Sequence, residues 1–315
     1  MITKLGSNPF TFLFYIGSFN LMPKPAALYF WCAMSFVYYL MSLLKSLYAA
    51  KRTYWVSDDI NADSCVLSFG NPSGHLMCNV FFWLSLYLHL YSEVGVKYPR
   101  MSVFCTAYIV KMAATCIGCV FLIFMGFSRV YLGVHSMDQV LFGAILGATL
   151  ALIGHYKVKP FFLGLPEMLY SQESGSKFAV TGLSYCKALA FGLGLPLLLA
   201  AFVLMMSDDM AFYHSNEWNY RQTRAGCTSE QLSNLSNMLH YLSFQRAGCI
   251  AACAGIFCGQ FFEYRFFVNT GLMSVSPWLW YRSSPVKILV RFALTASILA
   301  IFYYVPRMVS HGMAD

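Results

Sequence analysis

Two histidines, a serine next to a glycine, and three permanent cations sit in three short polar stretches of an otherwise strongly apolar chain. The first stretch carries Lys45 and, after six intervening residues, Arg52. The second reads Pro72-Ser73-Gly74-His75. The third has Ser128-Arg129, five further residues, then His135, with Asp138 and Gln139 beyond.

That inventory suits a phosphate ester. Lys45, Arg52 and Arg129 can surround a phosphoryl group with charge-assisted hydrogen bonds, the guanidinium forks matching phosphate oxygens in pairs. Gly74, next to Ser73 at a helix start, lets backbone N–H groups and the positive helix end approach an anion. Both imidazoles titrate near neutral pH, so one can attack phosphorus while the other protonates the leaving alkoxide. Asp138 and Gln139 follow His135 by three and four positions, so a helix beginning there puts both on its face. An acceptor there holds the Nδ1 proton of His135 and leaves Nε2 to attack, with Asp138 the catalytic candidate and Gln139 the alternative. Taken singly, each stretch has an ordinary reading: a turn entering a helix, or an arginine snorkelling to the headgroups. Their occurrence together, in order and each at the end of an apolar run, points to one site.

The elements that must position these groups are membrane helices. Of the 315 residues, 58% are hydrophobic and 11% charged, where a soluble domain carries about a quarter charged. Runs approaching the roughly 20 residues needed to cross a bilayer lie at Ala26–Leu44, Leu76–Tyr91, Val103–Phe127, Gln139–Tyr156, Tyr185–Met206, Gly248–Phe262 and Val286–Tyr304. Phe10–Met22 and Phe266–Tyr281 are marginal. The expected fold is an all-α, polytopic helical bundle of seven to nine spans. Residues 1–25 form an N-terminal apolar segment, 26–156 the catalytic membrane core, and 157–315 a C-terminal membrane region with a polar loop at 207–242.

Walking the spans puts all three polar stretches on one side of the membrane. Lys24, Lys97, Arg100, Lys157, Lys159 and Lys177 fall on the other side, which the excess of basic residues marks as cytoplasmic. The site is therefore expected on the non-cytoplasmic face of an endomembrane, with the mitochondrial inner membrane as the alternative. The formal charge of +8 is scattered between apolar runs, which excludes a nucleic-acid surface. Cys116 and Cys119 form a C-x-x-C inside an apolar run without polar neighbours, and read as buried small hydrophobes.

Lys45-x6-Arg52, PSGH and SR-x5-H, in this order at span boundaries, resemble the three motifs of the type 2 phosphatidic acid phosphatase superfamily. "KRTYWV", "FGNPSGHLM" and "SRVYLGVHSMDQV" are similar to the corresponding segments of its glucose-6-phosphatase branch. The resemblance covers about residues 26–156. It implies a phosphomonoesterase with no metal or other cofactor and a phosphohistidine intermediate. In that scheme His135 is the nucleophile and His75 the acid/base, while Lys45, Arg52, Ser73, Gly74 and Arg129 cradle the phosphate. Thr53 departs from the family's proline, and Gln139 stands at its usual acidic position, with Asp138 one place early. The implied partners are membrane lipids and a lipid phosphate or sugar phosphate. The alternative is a catalytically silent subunit packed among other membrane proteins in a large assembly.

Overall fold

The computed structural model describes residues 24–48, 50–57, 59–60, 68–97 and 101–163, together with positions 253–256, 259, 289, 293 and 297. The runs expected at Phe10–Met22, Tyr185–Met206 and Phe266–Tyr281, and the polar loop, lie outside the described residues. Those at Gly248–Phe262 and Val286–Tyr304 lie almost wholly outside them. Among the described residues the structure is helical, without a strand. Helix α1 spans Lys24–Tyr48, α2 Thr53–Val56, α3 Gly74–Lys97, α4 Met101–Tyr131 and α5 Met137–Ile153, which runs on through a π-helical turn at Gly154–Val158. Two helical stretches, Ala26–Lys45 and Met137–Leu163, are long and apolar enough to cross a membrane.

The core is an interlock of α1, α3 and α5. Met34 and Val37 of α1 meet Met77, Cys78, Phe81 and Phe82 of α3 and Ala151 of α5, all buried. A second cluster fastens α4 to α3 and α5 through Leu76, Met125 and Val140. The outer faces of α4 and α5 stay apolar, with Ile117, Val120, Ile123, Phe127, Leu141 and Ile145 exposed. In water such a face is a liability, whereas in hydrocarbon it is the natural surface.

The contact between α3 and α5 sets the site. Gly143 and Gly147, one turn apart on α5, lie against the backbone of α3. A Cβ on Gly143 would stand 2.7 Å from the Ser73 carbonyl oxygen, and one on Gly147 would press on the Met77 carbonyl. Small residues four apart let two helix backbones approach closely, and here that closeness brings the Ser73 N–H to the Gln139 carbonyl at 3.1 Å. The second and third polar stretches are thereby joined through main chain. The first joins them where the Gly70 N–H donates to the Ala50 carbonyl at 2.8 Å.

Gly147→Ala is expected to lower stability by about 1–3 kcal/mol, the usual range for overpacking, because a backbone carbonyl cannot rotate aside. Gly118→Ala, whose new Cβ would meet only the Trp83 ring at 3.7 Å, should stay within about 1 kcal/mol of the parent, alanine being the better helix former. Thermal unfolding in detergent distinguishes the two.

Candidate active site

The two cations of the first stretch are held by backbone. Lys45, in the last turn of α1, donates through Nζ to the Phe69 carbonyl at 2.9 Å and the Ser68 hydroxyl at 3.3 Å. Arg52, 2% exposed, donates through Nε to the Ser68 carbonyl at 2.6 Å, and through Nη2 to the Ser68 hydroxyl at 3.0 Å and the Phe69 carbonyl at 3.4 Å. Its Nη1 reaches the Val134 carbonyl at 2.9 Å. Among the described residues the oxygen acceptors of Arg52 are all neutral, so they aim its side chain without cancelling its charge, as a carboxylate would. Burial, with Arg129 adding to it and Tyr54 opposing, pushes the Arg52 guanidinium down to about 10, which leaves it charged at neutral pH.

A chain of donor-only and acceptor-only groups fixes the state of His135. Arg52 Nη1 lies 3.3 Å from His135 Nε2. A guanidinium can only donate, so Nε2 must present its lone pair and the ring proton must sit on Nδ1. Nδ1 faces Gln139 Oε1 at 3.2 Å. The amide cannot be reversed, because its Nε2 donates to the Lys51 carbonyl, an acceptor only, at 2.9 Å. The imidazole is thus neutral, with a single tautomer and with Nε2 turned toward the arginine.

The loop carrying His135 owes its shape to Gly133, whose φ of 64° is the left-handed value that ends a helix. The N–H groups of Leu132 and Gly133 close the last turns of α4 on Ser128 and Val130. Val134 then packs, fully buried, against Tyr54 and Trp55, and α5 begins after an extended Ser136.

The second imidazole belongs to the same site. Burial first, then the charges of Arg129, Lys45 and Arg52, push His75 down to about 3. His135 is held well below the ordinary imidazole value by burial and by Arg52 and Lys45, with Arg129 adding a smaller share and the hydrogen bond to Gln139 opposing. The same three cations therefore act on both rings. Ser73 Oγ and Arg129 Nε are buried with no hydrogen-bond partner among the described residues.

Lys45, Arg52, Ser73, Gly74, His75, Arg129 and His135 are accordingly gathered at one end of the bundle. Asp138 is not at the imidazole. It lies exposed in the first turn of α5, and Gln139, 5% exposed, occupies the place expected of it. Helix α5 starts at Met137, and of the two acceptors that follow His135 it is the one four positions on whose side chain reaches the imidazole. Ser68 is an unanticipated member. Its hydroxyl and its carbonyl each bind Arg52, and the only hint in the sequence is its position two residues before Gly70. Among the described residues no group of three His, Cys, Asp or Glu side chains is arranged to hold a metal ion.

Three cations, two neutral imidazoles and a buried serine on one helical bundle supply donors of the kind that a phosphoryl-type anion takes. Residues 26–162 match the family model of the PAP2 superfamily, a stretch that contains the whole site. No curated protein and no solved structure matches the chain.

Because both rings are held below the usual value of about 6.5, neither should gain a proton between pH 8 and pH 6 in the ligand-free protein. Histidine-resolved NMR titration in detergent checks this, and a midpoint near 6.5 on His75 or His135 would contradict it.

Proposed function

We propose that the chain is an integral-membrane phosphomonoesterase that hydrolyses a lipid phosphate or a sugar phosphate through a phosphohistidine on His135, with the site on the non-cytoplasmic side of an endomembrane. The observation that carries this reading is the fixed tautomer of His135, whose Nε2 lone pair faces a guanidinium in a positively charged site. The match of residues 26–162 to the PAP2 superfamily supports phosphatase-type chemistry.

In this scheme a phosphoryl oxygen takes over the Arg52 Nη1 hydrogen bond, releasing the Nε2 lone pair as it brings phosphorus within reach. Lys45 and Arg129 bind the remaining oxygens, and the buried Ser73 hydroxyl and Arg129 Nε gain the partner they lack among the described residues. Nε2 attacks phosphorus and the P–O bond to the leaving group breaks. The ester oxygen takes a proton from His75. Gln139 Oε1 keeps the Nδ1 proton in place while positive charge develops on the ring. Water, giving its proton back to His75, then cleaves the P–N bond, releasing inorganic phosphate and restoring neutral His135. The charge that develops on the transferring group is met by fixed cations, the role a metal takes elsewhere.

His75 is neutral in the empty site, so the proton it delivers enters with the substrate, as the ester monoanion. The second phosphate pKa is about 6. The value of kcat/KM should therefore fall as pH rises through that range, and a profile that climbs from pH 6 to 8 would contradict the assignment.

The test is phosphate release by purified protein from phosphatidate, a sphingoid-base phosphate, a prenyl pyrophosphate and glucose 6-phosphate. Turnover of at least one, unaffected by EDTA and abolished in His135→Ala, is expected. Loss on chelation that returns with Mg²⁺ would contradict it, and no release from any ester would favour the silent structural subunit. Among variants, Gln139→Ala should lower kcat by about ten- to a hundredfold, as loss of a ligand-orienting partner does. Asp138→Asn should stay within about twofold.

A further inference from the structure

Thr53 replaces the proline of the family that the motifs resemble, and its side chain takes part in the site's architecture. The Thr53 hydroxyl donates to the Gly133 carbonyl. The next carbonyl along, Val134, accepts from Arg52 Nη1 at 2.9 Å, and the side chain after that, His135, faces the same nitrogen at 3.3 Å. Three consecutive residues of the loop are thus held by the dipeptide Arg52-Thr53.

We propose that Thr53 is a positioning residue for His135, its hydroxyl holding the Gly133 carbonyl and thereby the loop that presents Nε2 to the phosphoryl group. The inference rests on the phosphatase reading for its kinetic readout. Arg52 keeps its bond to the Val134 carbonyl but gives up its direct contact with Nε2 when the phosphoryl oxygen arrives. The Thr53 bond uses neither Nε2 nor any atom that would touch the anion, so it remains made while the arginine exchanges partners. Gly133 is the hinge of that loop, with φ 64°, and glycine is the residue that least restricts its own backbone. An external hold on its carbonyl therefore matters more here than it would at a stiffer residue. The four-residue helix that Thr53 opens is far too short to be stable alone. This bond anchors it, together with the packing of Tyr54 and Trp55 on Val134 and of Trp55 on Phe69. A proline at position 53 would set the turn through its ring but would leave the Gly133 carbonyl without a donor. Threonine makes the same junction by a bond between loops.

Thr53→Val keeps the shape and removes the donor, and Thr53→Ser keeps the donor. In the purified full chain, Thr53→Val should lower kcat by about three- to tenfold, the worth of one ordinary hydrogen bond, with KM within about twofold. Affinity for orthovanadate, a phosphate analogue that becomes five-coordinate on bonding to Nε2 and so senses its placement, should weaken by a similar factor. Thr53→Ser should restore both to within about twofold of the parent. Wild-type kcat and vanadate affinity in Thr53→Val would overturn the proposal, as would a lowered melting temperature with an unchanged kcat in the folded protein. Should the parent hydrolyse no ester, the phosphatase reading falls while vanadate affinity still decides the role of Thr53: a loss in the valine variant that serine restores supports it, and equal affinities overturn it. A parent that binds no vanadate overturns both.

Discussion

Everything at the site depends on one hydrogen bond between a group that can only donate and a ring that can do either. Arg52 Nη1 against His135 Nε2 forces the lone pair onto Nε2, the proton onto Nδ1, and the Gln139 amide into the orientation that receives it. The Lys51 carbonyl closes the sequence at the far side of the amide. Each group has one allowed role, so the tautomer is set by connectivity. Burial, and after it the nearby cations, keep the ring neutral, with the lone pair on Nε2 at rest.

Gln139 is where the three polar stretches meet. Its Oε1 binds the third, its Nε2 the first, and its backbone carbonyl accepts from Ser73 of the second. Gly70 leaves room for this: a Cβ there would come within 2.5 Å of the amide oxygen. The close approach of α5 to α3 at Gly143 and Gly147 is the corresponding requirement inside the bundle, because a wider spacing would part Ser73 from Gln139. Packing between helices and tautomer at the site are therefore linked through three glycines.

The cations, the imidazoles and Ser73 were legible in the sequence because their chemistry is carried by side-chain type, and their order along the chain survives folding. The helices that bring them together were legible from apolar runs, with α1, α3, α4 and α5 falling where runs were read. The spacing from His135 offered Asp138 and Gln139 together, and only the backbone path into the helix that begins at Met137 turns Gln139 to the ring and leaves Asp138 exposed. The roles of Ser68, Phe69, Val134 and Lys51 were not legible at all. They act largely through carbonyl oxygens, and every residue has one of those, so only the path of the backbone distinguishes the four that matter. Thr53 read as a missing proline, since a hydroxyl's partner 80 positions away leaves no trace in local sequence.

The central claim is that phosphorus is transferred to Nε2 of His135. Protein quenched in alkali during turnover, digested, and analysed by mass spectrometry tests it most directly. The account predicts an acid-labile, alkali-stable phosphoryl group on the peptide bearing His135, lost in His135→Ala. Phosphate on His75 or on Ser73, or steady hydrolysis with no phosphoprotein at any quench time, would contradict it.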